Sequence, residues 1–134
     1  MGDLTDQLNA AMPFGAFLGL EVLEASPGEV RARLDWAEEL CTAGGILHGG
    51  VLMGLADSTG GFCAYLNLPA GAAGTATIES KTNFFAAVRE GWVEAVSAPL
   101  HIGKTTIVVD TDLVDSTGRR VARVTQTQAV LRSS

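Results

Sequence analysis

Between Leu40 and Ile78 the chain carries one formal charge, Asp57, and the centre of that stretch, Gly49 to Leu66, is apolar around most of a helical circumference. Val51, Leu52, Leu55, Ala56, Phe62 and Leu66 surround the helix, which must therefore be covered on most sides. The glycines and Asp57 break the run, so it reads as a core helix rather than a membrane span. A carboxylate in such surroundings either finds a partner or keeps its proton. Asp57 is thus the first candidate for chemistry.

The remaining segments read as strands that must cover this helix. Leu20 to Ala25 and Val30 to Asp35 flank Ser26-Pro27-Gly28. In the second of them Val30, Ala32 and Leu34 alternate with Arg31, Arg33 and Asp35, the pattern of a hairpin with one wet face. Cys41 to Leu47 reads as a loop. After a loop over Pro69 to Gly74, strands are expected at Thr75–Phe85, Trp92–Ile102, Lys104–Asp115 and Arg120–Leu131, the last after the Ser116-Thr117-Gly118 turn. The later turns are too short for parallel crossovers, so the sheet is expected to be antiparallel. Leu4, Leu8 and Ala11 give a short amphipathic helix after Asp3, ending before Pro13. The fold class is α+β, one helix against a curved antiparallel sheet, and 134 residues are read as a single domain, 1–134.

A net charge of -6 argues against a nucleic-acid or anionic-membrane surface. Cys41, Cys63, His48 and His101 fit neither a disulfide framework nor the usual zinc spacings, which leaves a reduced, metal-free cytoplasmic protein as the expectation. The first residues lack the basic start and unbroken apolar core of a signal peptide, and Asp6 stands where a myristoylation motif wants Ser or Thr.

His48-Gly49-Gly50 directly precedes the apolar helix. The amides of Gly49 and Gly50 are then expected among its unpaired N–H groups, at the positive end of the dipole, where a carbonyl oxygen can approach closely. Such a site stabilises the oxyanion formed when a thioester, ester or amide is attacked; tight packing of the helix start against the sheet explains the glycines equally well. Asp57 lies eight residues beyond Gly49, roughly 12 Å along the helix. Two groups so far apart act on one carbonyl only if they come from different subunits, with two helices antiparallel across a two-fold axis. The plain alternative for Asp57 is a pairing with a backbone amide or with Ser58 or Thr59.

Thr42-x-x-Gly45-x-x-His48-Gly49-Gly50, followed by Leu55-Ala56-Asp57, resembles the signature of hotdog-fold acyl-CoA thioesterases. The groups it is most similar to are the phenylacetate-pathway type, one branch of the 4-hydroxybenzoyl-CoA thioesterases and the 1,4-dihydroxy-2-naphthoyl-CoA thioesterases. The segments Thr77 to Phe84, Val88 to Gly91, Leu100 to Lys104 and Asp115 to Arg119 extend the likeness over nearly everything after the first helix. The resemblance implies a hotdog fold and hydrolysis of an acyl-CoA, without a cofactor beyond the coenzyme A of the substrate. It implies that Asp57 is nucleophile or general base, that the Gly49 amide polarises the thioester carbonyl, that His48 shapes the site and that Thr77 assists the carboxylate. It also implies a homodimer or a dimer of dimers with the site between subunits. Thr42 stands where the family usually has Asn or Gln, and Gly61 where several relatives have Ser or Thr.

Coenzyme A brings phosphates that an acidic chain must meet locally. Arg89, His101, Lys104, Thr105, Thr106 and Arg132 look like the positions that meet the nucleotide in relatives, with Gly50 and Asn83 as further candidate contacts. Phe62, Tyr65, Leu66, Phe84 and Phe85 are available for an aryl or medium-chain acyl pocket, or simply for the core. Two other readings remain at this stage, an acyl-CoA-binding module without catalysis and an acyl-CoA hydratase.

Overall fold

The computed structural model of the chain describes residues 3–133. Helix α1 (Leu4–Ala11) begins at Asp3, whose carboxylate accepts the Asp6 N–H at 2.9 Å, and it buries Leu8. The helix ends before Pro13 as expected, but Pro13 does not end the helical region. It opens a second short helix, α2 (Pro13–Leu18), because a first-turn residue needs no N–H partner and proline's φ already suits that position. Gly19, with φ 76°, closes α2 in a left-handed conformation.

Strands β1 (Glu21–Ser26) and β2 (Glu29–Asp35) form the expected hairpin, with Val30, Ala32 and Leu34 facing inward. A short 3₁₀ turn, Glu38–Leu40, precedes the Cys41 to Leu47 loop and a second, Ala43–Gly45, lies within it, and the Trp36 indole N–H donates to the Gly45 carbonyl at 3.0 Å. Helix α3 then runs Gly49–Leu66, as read from the sequence. Strands β3 (Ala72–Phe84), β4 (Trp92–Ile102), β5 (Thr106–Asp115) and β6 (Arg120–Arg132) complete one antiparallel sheet in the order β1-β2-β4-β5-β6-β3.

The sheet wraps α3. Leu52, Leu55 and Ala56 of the helix cluster with Ala32, Leu34, Val93, Ala95, Leu113 and Val124 of the strands, and Cys63 and Ala64 cluster with Val30, Ile107 and Val109, all buried. Removing a residue such as Leu55 from water contributes about 1.5–3 kcal/mol. The opposite face of α3 corrects an expectation: Gly50, Met53, Asp57 and Tyr65 are exposed, so within one chain the helix is covered by the sheet and, at Gly54, by α2, and the rest of this face is bare. Beside that bare face runs β3, an edge strand whose Ile78 and Phe84 are 63% and 50% exposed. Among the described residues, no helix is long and apolar enough to cross a membrane.

Candidate active site

Asp57 projects from the bare face of α3 into a cleft of about 480 Å³. The cleft is walled by Leu8 and Met12 beside α1, Phe62 and Tyr65 of α3, and Thr75 and Thr77 of β3. Gly61, one helical turn after Asp57, lies on its floor, and a Cβ there would meet nothing within 4 Å. Of the aromatic candidates only Phe62 and Tyr65 line this space. Leu66 packs in the core, Phe84 lies against Gly49, and Phe85 borders a second cleft.

Asp57 is exposed in the single chain, but it is not free. Gln126 Nε2 donates to its Oδ1 at 3.1 Å, and the Thr77 hydroxyl reaches the same oxygen at a long 3.5 Å. Thr77 is in turn held by Gln128, whose Nε2 donates to Thr77 Oγ1 at 2.7 Å. The alternative in which a neighbouring hydroxyl pairs with Asp57 is not seen: Thr59 Oγ1 donates to the Leu55 carbonyl at 2.7 Å, and no Ser58 bond to Asp57 is formed. The two glutamines, each 1% exposed on β6, were missed in the sequence. A signal was present, because inward-facing Ala122 and Val124 extended at a period of two point Gln126 and Gln128 to the same face.

At the start of α3 the expected pair of free amides becomes one. His48 Nδ1 accepts the Gly50 N–H at 2.8 Å, an N-cap in which an imidazole takes the place of the usual Ser or Asp oxygen. A neutral ring that accepts at Nδ1 carries its proton on Nε2. The Gly49 N–H has no partner among the described residues and stands at the positive end of the α3 dipole. The Phe84 ring fills the space beside it, 3.1 Å from where a Gly49 Cβ would lie. Thr42, exposed on the preceding loop, has its N–H tied to the Ile46 carbonyl at 2.8 Å and belongs to this end of the helix rather than to the Asp57 end.

The candidate phosphate contacts divide between the two ends of the sheet. Asn83 and Arg89 lie at the Gly49 end, Arg89 in a polar cleft with Ser116, Thr117 and Arg119. His101, Lys104, Thr105, Thr106 and Arg132 lie at the other end, where the Arg132 guanidinium donates to the Ala70 and Lys104 carbonyls. One chain does not bring the two groups together. No cluster of three His, Cys, Asp or Glu suited to a metal occurs among the described residues. Burial pushes the Cys63 thiol up to about 11, which makes it a poor nucleophile.

The Thioesterase superfamily model matches residues 44–122, which contain the Gly49 amide, Asp57 and Thr77. The chain belongs to the thioesterase superfamily. Its enzyme class is thioester hydrolase, and its curved sheet around α3 is the hotdog fold that the sequence resemblance implied. A presumptive esterase of Mycobacterium tuberculosis is 31% identical over 118 residues, covering 87% of this chain and 84% of the relative. The solved structure of the Mycobacterium tuberculosis protein superposes with a TM-score of 0.88 at 28% identity, covering 92% of this chain and 99% of that one. A thioesterase from Pseudomonas aeruginosa, solved as a mutant, gives 0.88 at 28% identity over 98% and 96% of the two chains. A mutant phenylacetic acid degradation protein from Thermus thermophilus gives 0.81 at 27% identity over 89% and 99%.

Proposed function

We propose that this thioesterase-superfamily chain is an acyl-CoA thioesterase that hydrolyses aryl- or medium-chain acyl-CoA to the free acid and coenzyme A. Its site is built from Asp57 of one subunit and the Gly49 amide of the other. The observation that carries this reading is the separation of two exposed groups on one helix. A carboxylate held at the mouth of an apolar cleft and a free amide at the helix start lie eight residues apart. At roughly 12 Å they cannot meet on one carbonyl within a chain.

A two-fold axis resolves the geometry. It would pair the bare faces of two α3 helices antiparallel and join the free edges of two β3 strands, covering Met53 and Ile78. The Gly49 end of one chain would then neighbour the Asp57 end of the other. The same operation brings the Asn83 and Arg89 end of one sheet beside the partner's His101, Lys104, Thr105, Thr106 and Arg132 end. The two halves of the candidate phosphate surface would thereby face one coenzyme A. A second exposed apolar patch, Leu100, Ile102 and Leu131, supports pairing of dimers into a homotetramer.

In the reaction the acyl group lies in the cleft and the thioester oxygen accepts the Gly49 N–H. Asp57 either attacks the carbonyl to give a mixed anhydride, which water then hydrolyses to the free acid and the restored carboxylate, or takes a proton from water as the water attacks. The negative oxygen that develops gains most from the helix-terminal amide, and coenzyme A departs as thiolate. His48 capping Gly50 holds the turn that presents Gly49. Thr77, braced by Gln128, holds the Asp57 side of the site, and Thr42 flanks the thioester from its loop. No metal or separate cofactor enters this chemistry. The free thiols of Cys41 and Cys63 suit a reducing cytoplasm.

The test is release of free thiol from a panel of aryl- and fatty acyl-CoAs by wild type and Asp57→Asn, with the oligomeric state of both measured. The expected result is turnover by an oligomeric wild type and a loss of about 10²–10⁴-fold in a folded, oligomeric Asp57→Asn. Binding without turnover would point instead to an acyl-CoA-binding module, and a changed acyl chain with its thioester intact would point to a hydratase.

A further inference from the structure

The concave face of the sheet carries more buried polar side chains than a core needs. Ser97 and Thr111 satisfy one another through a 2.6 Å bond between their hydroxyls, and Gln128 spends its amide on Thr77. Gln126 is different. It is 1% exposed, its Nε2 donates to Asp57 Oδ1, and its Oε1 has no hydrogen-bond partner among the described residues. A half-satisfied buried amide costs stability, and an apolar residue of the same length would remove that cost.

The slot that receives this amide is equally costly. A Cβ on Gly60 would lie 1.8 Å from Gln126 Oε1 and 3.0 Å from its Cδ, so the amide fits only because residue 60 has no side chain. Glycine in the middle of a helix is itself unfavourable relative to alanine. Two locally destabilising choices, one on β6 and one on α3, therefore meet at a single contact, and a Cβ on Gly60 would meet the Gln126 amide far more closely than its next neighbour, Thr111 Oγ1 at 3.3 Å. What the contact achieves is the fixing of Asp57. From the exposed face of α3 this side chain would otherwise sample several rotamers. Gln126 and Thr77 both approach Oδ1, whereas Oδ2 receives no donor among the described residues.

We propose that Gln126 is a positioning residue for hydrolysis, its amide slotted against Gly60 to hold Asp57 by Oδ1 so that Oδ2 is the oxygen presented to the thioester or its water. The inference rests on the reading of Asp57 as the catalytic carboxylate and adds how that carboxylate is aimed. An oxygen that already accepts two donors is the weaker base and nucleophile. Holding the reacting group in one geometry is where much of an enzymatic advantage originates. Gln128 extends the support one step further through Thr77, which places the aiming of Asp57 on β3 and β6 rather than on its own helix.

The experiment compares wild type, Gln126→Met, Gly60→Ala and the double variant in thiol release, with thermal unfolding and oligomeric state measured alongside. Methionine keeps the length of glutamine and removes the donor. The expected result is a kcat about 10–100-fold lower in Gln126→Met with KM within twofold, a fall of the same kind in Gly60→Ala, and a double variant no worse than the poorer single. A folded, oligomeric Gln126→Met with kcat within twofold of wild type overturns the proposal, as do fully additive losses. If Gln126→Met does not fold, Gly60→Ala probes the same contact from a helix whose propensity it improves. A crystal structure of either single variant supplies a readout independent of activity: an Asp57 side chain rotated from its wild-type position supports the proposal, and an unmoved one overturns it. Failure of the hydrolase reading would show separately, as no thiol release by wild type on any thioester.

Discussion

Gly61→Leu should shorten the acyl group that the enzyme accepts while making the protein more stable. Gly61 lies one turn beyond Asp57, lines the 480 Å³ cleft and has nothing within 4 Å of its Cβ position, so a new side chain enters the cleft without displacing protein atoms. Leucine is nearly as good a helix former as alanine, and replacing a mid-helix glycine gains about 1 kcal/mol. For a chain of this size that corresponds to a rise of about 3–5 °C in Tm. Inside the cleft the leucine occupies the room of about two or three acyl methylenes, each worth about 0.8 kcal/mol on burial. The loss on the longest good substrate is then about 1.6–2.4 kcal/mol, or about 15–60-fold in kcat/KM. Short acyl groups that end before Gly61 should be hydrolysed as before, and Gly61→Ala should give the stability gain with a much smaller shift. The assay is kcat/KM over acyl-CoAs of increasing length for the three proteins, beside thermal melts. Equal losses on short and long substrates, or an unchanged length profile, would refute the assignment of this cleft to the acyl tail.

At the other end of the helix, His48→Ala should remove the cap on Gly50 and cost about 1 kcal/mol, read as a lower Tm; His48→Asn, whose side-chain oxygen can cap the same amide, should recover most of it. A pH effect follows from Asp115. Its carboxylate accepts the Thr117 hydroxyl at 2.6 Å, the Thr117 and Arg119 amides and the Arg119 guanidinium, and the Thr117 bond above all holds its carboxyl below the usual range. The folded form therefore takes up its proton at lower pH than the unfolded chain does. The stabilisation is full above the unfolded value of about 3.9 and is lost as pH falls through the folded one. Asp115→Asn should cost about 2–3 kcal/mol at pH 7, and the gap in urea-unfolding free energy should narrow toward pH 3. A gap that stays constant with pH would contradict the assignment.

The sequence disclosed most of what a periodic pattern can disclose. Helix α3 was legible to the residue because glycines begin it and an apolar run fills it, and β2 and β4 were legible because their bounds coincide with turns. Pro13 marked the end of α1, but the same residue that stops one helix suits the first turn of another, and α2 was missed. The expectation that both helix-start amides would be free failed on a local bond: an imidazole two residues back accepts one of them, and His48 carries no cap signature of the Ser or Asp kind. Gln126 and Gln128 were hidden by their setting. In Thr125-Gln126-Thr127-Gln128 every position is polar, so alternation cannot tell inside from outside there, and only register carried in from Val124 assigns the faces. Asp57 stands out in the sequence as the isolated charge, but its partners come from β3 and β6, at sequence separations that no local pattern spans.

The glycines of α3 distinguish packing from function without reference to any relative. Each weakens a helix that the sheet must hold in place through Leu52, Leu55, Ala56 and Cys63. Gly54 admits the Phe14 ring, which would lie 2.9 Å from a Cβ at that position, and Gly60 admits the Gln126 amide, so each missing side chain is replaced by another group of the same chain. At Gly49 the Phe84 ring stands beside the amide, and the N–H itself has no partner among the described residues. Gly61 alone among the mid-helix glycines leaves space that no atom of the described residues enters. If that space served packing, selection for stability would favour a side chain in it, because alanine there strengthens the helix and collides with nothing. An occupant from outside the chain would account for its emptiness beside Asp57, and in the proposed hydrolysis of an acyl-CoA the predominantly apolar lining suits the acyl group better than the nucleotide.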